Sequence, residues 1–103
     1  MAQEIKARFR RKVDELTVKM MLPHPMETGT RKDEQDNVIP AHYIETVSCT
    51  LNGRPVLNAD FSGSVSTDPI LTFYVNGVKA GDEVTVAWTD NKGESMTRTD
   101  TLK

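Results

Sequence analysis

Apolar side chains recur at every second position through most of this 103-residue chain, and nowhere does the 3.6-residue rhythm of an amphipathic helix replace them. Successive side chains point to opposite faces of a strand, so this alternation fixes an all-β fold. Ile5, Ala7 and Phe9 interleave with Lys6, Arg8 and Arg10, giving a half-buried strand with a basic outer face. Leu16, Val18, Met20 and Leu22 share one face of a second strand, opposite Thr17, Lys19 and Met21, and that strand ends at Pro23. From about Tyr43 to Leu51, Val47, Cys49 and Leu51 alternate with Thr46, Ser48 and Thr50. Asn52-Gly53 then supplies the two positive-φ positions of a type I′ hairpin turn. Pro55 suits the start of a short edge strand through Val56 and Leu57, and Ser62 to Asp68 reads as a loop. Ile70 to Val75 is apolar at most positions on both faces, which predicts a central strand or one whose outer face is covered. After a turn over Asn76 to Asp82, Val84, Val86 and Trp88 face inward opposite Glu83, Thr85 and Thr89. Asp90 to Gly93 turns the chain, and Glu94 to Leu102 closes it with a threonine-rich strand. The expected architecture is a single domain over residues 1–103, an immunoglobulin-like antiparallel β-sandwich of about seven strands.

A chain of this length buries about 65% of its unfolded surface, enough for one core without staples. Its single cysteine excludes an internal disulfide, so packing must hold the fold. The net charge of −2 argues against nucleic acid as a partner. The basic residues between Lys6 and Lys12 would suit a polyanion, but in an acidic chain they are better read as a solvated strand face that discourages edge pairing. Arg10 and Arg11 precede Lys12, Asp14 and Glu15 where an export signal needs an unbroken apolar run. No apolar stretch approaches the ~20 residues of a membrane helix. Taken alone, the text predicts a cytoplasmic chain with no membrane contact.

The stretch from His24 to Pro40 reads as neither strand nor tight turn, and loops of this length in small domains are usually functional or mobile. Pro23 and Pro25 stiffen its start, and Arg31 to Asn37 is almost wholly charged or amide. Asp33 to Asn37 lacks the glycine and the twelfth-position glutamate of a calcium loop, since Ile44 stands there. Gly63-Ser64-Val65-Ser66 lacks the second glycine of a nucleophile elbow, and no phosphate-cradling or dinucleotide fingerprint is present. His24 and His42 flank the loop and could meet at its base, with Glu27 or Asp33 as a third metal ligand, but two histidines are too few by themselves. Cys49, flanked on the inward face by Val47 and Leu51, reads as an inert core thiol; the alternative is a disulfide to another chain.

At His24-Pro25-Met26-Glu27-Thr28-Gly29, followed by Arg31-Lys32-Asp33 and Ile39-Pro40, the sequence resembles the SoxZ family. The likeness extends through Leu51-Asn52-Gly53, Val65-Ser66, Asp68-Pro69, Val84 to Trp88 and Asp90. The resemblance implies a non-catalytic subunit of the SoxYZ heterodimer in bacterial thiosulfate oxidation, without a cofactor. Its SoxY partner carries sulfur intermediates on the cysteine of a glycine-rich arm. This chain ends at Thr101-Leu102-Lys103 without such an arm, and so is expected to be the scaffold, periplasmic through co-export with SoxY. Further Sox enzymes are expected to dock on the complex. The interface candidates are His24, Pro25, Met26, Glu27, Thr28, Gly29, Arg31 and Asp33 on the loop, and Leu71, Phe73 and Val75 on the apolar strand. His24-Pro25-Met26 and His42-Tyr43-Ile44 are also similar to two iron-ligand segments of superoxide reductases. Such enzymes need four histidines and a cysteine, and the late Cys-Asn-x-His-Gly segment has no counterpart near Trp88 to Gly93.

Overall fold

In the computed structural model, which describes residues 4–61 and 65–103, the alternating segments become seven antiparallel strands. They are β1 (Lys6–Lys12), β2 (Glu15–Met21), β3 (Ile44–Leu51), β4 (Arg54–Asp60), β5 (Ile70–Asn76), β6 (Glu83–Asp90) and β7 (Ser95–Thr101). One sheet has the order β1-β2-β5 and the other β4-β3-β6-β7, the immunoglobulin-like sandwich expected from the period of two. Among the described residues there is no helix, and so none long and apolar enough to cross a membrane.

The core lies where the inward residues of both sheets meet. Leu16, Val18 and Met20 from β2 face Ile44, Val47 and Cys49 from β3 and Val84, Val86 and Trp88 from β6, all at most 1% exposed. Cys49 is thus a core residue, and burial pushes its thiol up to about 11. The β3–β4 turn has positive φ at Asn52 (51°) and Gly53 (82°), as its hairpin type requires. Asn52 also ties this turn to the start of β6. Its Nδ2 donates to Asp82 Oδ1 (3.1 Å), and its Oδ1 accepts from the Glu83 N–H (2.8 Å).

On the outer face of the three-stranded sheet, Lys6, Arg8, Arg10 and Lys12 form a column along β1, with Lys19 of β2 directly opposite Arg8. The β1 and β7 sides of the two sheets are joined where Arg98 Nη1 donates to the Ile5 carbonyl (3.0 Å) and Arg11 Nε to that of Lys103 (3.0 Å). The strand orders then leave β5 and β4 at the opposite flank, where Leu71, Phe73, Leu57 and Phe61 pack on the core while remaining only half-buried.

Two expectations need adjustment. Of the two alternatives for β5, the central place is excluded, because it pairs with β2 alone as an edge strand; within this chain its uncharged outer face is bare, with Ile70 63% and Tyr74 64% exposed. Apolar text on both faces marked a strand with an open side, which periodicity cannot distinguish from a buried one. β4 runs on to Asp60, longer than the segment through Leu57, with a register shift between Cys49 and Thr50 beside Pro55. Of the loop expected over Ser62 to Asp68, residues 62–64 lie outside the described residues.

Candidate functional site

The stretch from His24 to Pro40 is folded back on itself as an irregular hairpin. Glu27 and His42 exchange both backbone hydrogen bonds (2.6 and 2.9 Å), and further out the Ile39 N–H donates to the Arg31 carbonyl (2.8 Å). Asp33 organises the tip: its N–H donates to the Asn37 carbonyl (2.9 Å), and its Oδ1 accepts from the Gln35 (2.9 Å) and Asn37 (3.0 Å) N–H groups. The stretch forms no regular strand, in keeping with its text; isolated bridges between Glu27 and His42 and between Lys32 and Val38 order it, and since these are made by backbone groups no side-chain alternation announces them.

The HPMETG text is explained residue by residue at the base of this arm. Met26 is buried with φ 51°, a left-handed conformation that ordinary residues avoid unless their surroundings hold them there. Two contacts do so: the Met26 N–H donates to His24 Nδ1 (3.1 Å), and its Sδ accepts from the Ile44 N–H (3.3 Å). Glu27 forms a two-pronged ion pair with Arg31, whose hydrogen bonds hold the Glu27 carboxyl below its usual range against a smaller opposing effect of burial. Thr28 Oγ1 meets Thr30 Oγ1 (2.6 Å). Gly29 has φ 85°, and a Cβ there would stand 3.3 Å from that of Ala41. Pro25 is exposed, and its carbonyl accepts from Thr67 Oγ1 (3.1 Å).

Beneath the arm lies a buried polar cluster that joins the ends of β2 and β6 to the start of β3. His24 Nε2 donates to Asp90 Oδ2 (3.0 Å), and His42 Nε2 to the same oxygen (2.7 Å). Asp90 Oδ1 accepts from the Lys92 (3.0 Å) and Glu94 (2.9 Å) N–H groups, so this 2%-exposed carboxylate has four donors around it. Burial pushes its carboxyl up, but the bonds from His24, the Glu94 N–H, His42 and the Lys92 N–H together outweigh this, and the net shift is downward. Trp88 stands edge-on to His24, ring centroids 5.1 Å apart, and the two imidazoles meet at 4.5 Å.

His24 and His42 do therefore converge, as their placement at the loop base allowed, but the third member is Asp90. Glu27 turns outward to Arg31, and Asp33 lies at the arm's tip. Asp90 stands 66 and 48 residues from its partners, so no local spacing could have found it. One ligand-type atom from each of the three residues lies within 4.8 Å of the others, a candidate metal set by distance. The tautomer does not fit. His24 Nδ1 accepts the Met26 N–H and so carries no proton; the ring proton is then on Nε2, aimed at Asp90 and not available as a lone pair. The arrangement is a hydrogen-bonded clasp in which both oxygens of Asp90 and both ring nitrogens of His24 are engaged, while His42, at the partly exposed side, is tied through Nε2.

On the strand, Leu71 and Phe73 are half-buried against the core and Val75 is 8% exposed, so these candidates point inward; the side chains presented outward are Ile70, Thr72 and Tyr74. On the arm, His24 and Met26 are buried and unavailable to a partner, whereas Pro25, Thr28, Arg31 and Asp33 are exposed.

Comparison with solved structures finds the same fold in a hypothetical protein from Pyrococcus horikoshii OT3 (TM-score 0.72, 16% identity, covering 99% of this chain and 89% of that one). A superoxide reductase in the oxidised state matches at TM-score 0.70 and 18% identity, with 99% and 89% coverage, and the superoxide reductase from Nanoarchaeum equitans at 0.68 and 10%, with 98% and 93%. At these identities the likeness is one of fold. Among curated proteins, none matches the sequence significantly. The family model described as sulphur oxidation protein SoxZ matches residues 5–101, nearly the whole chain, and the protein therefore belongs to the SoxZ family.

Proposed function

We propose that the chain is the non-catalytic scaffold subunit of a SoxYZ heterodimer, in which SoxY carries the covalently bound sulfur intermediates of thiosulfate oxidation. The family match over residues 5–101 carries this reading and makes the chain a Sox-system subunit. The chemistry of the chain supports a scaffold role. Its one cysteine is buried and its thiol held protonated, which suits packing and not sulfur transfer. In its His-Asp-His cluster, both oxygens of Asp90 and both ring nitrogens of the buried His24 are taken up by hydrogen bonds within the chain. In this reading the arm, with Pro25, Glu27, Thr28 and Arg31 at its base, and the sheet side bearing β5 are the surfaces offered to SoxY and to the enzymes that dock on the complex. The complex works in the periplasm, reached by co-export with SoxY.

Co-expression with SoxY followed by intact-mass analysis tests the proposal. A one-to-one complex is expected, with sulfur adducts on the partner's mass and none on this chain. A sulfur adduct at Cys49 would overturn the scaffold role. Stoichiometric iron with superoxide consumption by the purified chain would replace it with the superoxide reductase alternative.

A further inference from the structure

Sheet edges invite pairing with other chains, and folded proteins usually blunt them with charge, proline or bulges. Three of the four edges among the described residues are blunted. β1 carries Lys6, Arg8, Arg10 and Lys12, β7 carries Arg98 and Asp100, and β4 has Pro55 beside its register shift. β5 has none of these devices. Its seven residues, ILTFYVN, include no charge and no proline, and they pair with β2 in unbroken register from Glu15↔Asn76 to Met21↔Ile70.

The phase of that ladder shows what the free edge presents. The Leu22 N–H donates to the Pro69 carbonyl (2.9 Å), which makes Leu22 and Pro69 a hydrogen-bonded pair in the antiparallel alternation. Two residues on, the same holds for Met20↔Leu71, then Val18↔Phe73 and Leu16↔Val75. The backbone groups of Leu71, Phe73 and Val75 are therefore spent on β2, and those of Ile70, Thr72 and Tyr74 point away from it, across the open edge. Beside that edge, Leu71 and Phe73 are left half-buried although they face the core, and Ile70 and Tyr74 lie bare on the outer face. A strand laid along β5 would satisfy the free backbone groups and extend apolar cover over both sets of side chains.

We infer that the SoxY subunit docks by adding an extended, largely uncharged segment to the free edge of β5, so that the β1-β2-β5 sheet continues into the partner. This rests on the heterodimer proposed above and specifies its contact as backbone pairing. A partner held only by side-chain packing would not need the Thr72 amide.

Thr72→Pro removes one outward N–H and leaves the β2–β5 ladder its donors and acceptors; Thr72→Ala shortens the side chain but keeps the N–H. With intact SoxY as titrant, the proline variant is expected to weaken the complex about 10–100-fold and the alanine variant by less than about 3-fold. Equal affinity of Thr72→Pro and wild type would overturn the inference and leave the heterodimer standing. Amide hydrogen exchange on the wild-type pair decides the matter even if the proline variant misfolds. Thr72 and Tyr74 should exchange fast in the free chain and slowly in the complex, with Leu71 and Phe73 protected in both. Fast exchange of Thr72 and Tyr74 within a formed complex overturns strand addition. Concentration-dependent protection in the chain alone reassigns the edge to a second copy. Failure of wild type to bind SoxY at all removes the heterodimer reading and this inference with it.

Discussion

Replacing Asp90 by asparagine keeps the shape of the side chain and inverts one of its two polar ends, at the point where three segments of the fold meet. The retained oxygen can still accept from the Lys92 and Glu94 N–H groups, but the new amide nitrogen then faces the Nε2 protons of both His24 and His42. His42 has an escape, because Glu94 Oε1 lies 3.7 Å from its Nε2. His24 has none. A change of tautomer would set a proton on Nδ1 against the Met26 N–H, and the ring is 4% exposed with Trp88 against it. Flipping the amide only moves the clash to the two backbone donors. The substitution thus loses at least one bond to a charged acceptor, at about 1.5–3 kcal/mol, and leaves at least one buried donor unpaired, at about 1–3 kcal/mol. A total loss of about 3–5 kcal/mol is expected, a large part of the 5–15 kcal/mol typical of a domain. Urea unfolding followed by the single tryptophan, Trp88, reads it directly: the midpoint should fall at unchanged slope, and Tm should drop by more than about 10 °C. Asp100→Asn, at a half-exposed pair with Arg98, should cost less than about 1 kcal/mol. The pH dependence carries a sign. The folded Asp90 carboxyl ionises below its unfolded value, so its stabilisation is complete above about pH 4 and is lost as the pH falls through the lower folded value. The difference between wild type and Asp90→Asn should close over that acid range. A loss under about 1 kcal/mol at neutral pH would refute the fixed His24 tautomer, and with it the reason given against a metal.

Four further outcomes can be checked on the isolated chain. Val13 is 80% exposed with φ 58°, an unfavourable conformation for a β-branched residue, so Val13→Gly should raise the urea midpoint by about 1 kcal/mol equivalent. Leu71→Asp should lower the stability of the chain itself by about 2 kcal/mol or more, because it puts a charge on the core-facing side of β5. Tyr74→Asp, on the outer side, should stay within about 0.5 kcal/mol of wild type in the same denaturation series. Cys49 should react with a bulky thiol reagent only as fast as the native fold opens, and rapid labelling under native conditions would contradict its buried place.

The strands were legible because a half-buried sheet writes its two faces into alternate residues: Leu16, Val18 and Met20 announce an inner face as plainly as Val84, Val86 and Trp88 do. The place of β5 in its sheet was not, since Ile70 to Val75 carries the same apolar text whether neighbours lie on both sides or one. The arm was hidden for the opposite reason, its pairing being made by backbone groups of Glu27, Arg31, Asp33, Asn37 and Ile39, which no side-chain period records. The histidines marked the site from the sequence through their position at the loop's base. Asp90 looked like an ordinary turn residue, because what sets it apart is the approach of two segments distant in the chain. Its local role, accepting from the Lys92 and Glu94 N–H groups, is one that many turn aspartates share.

The basic column on β1 has a consequence for how the molecule meets others. Lys6, Arg8, Arg10, Lys12 and, across the strand, Lys19 share an outer face with Glu15 as their carboxylate neighbour, and among the described residues none of the five is held in an ion pair. In a chain whose total charge is −2, this makes the domain an electric dipole whose positive end is one sheet face. Arg8 and Lys19 repel one another, so moderate salt, by screening them, should firm up the free fold at this spot where it would loosen a surface held by ion pairs. The same screening shortens the reach of the dipole. At low ionic strength an acidic surface is turned toward the β1-β2-β5 face before any contact is made, and at high ionic strength it must find that face by collision alone.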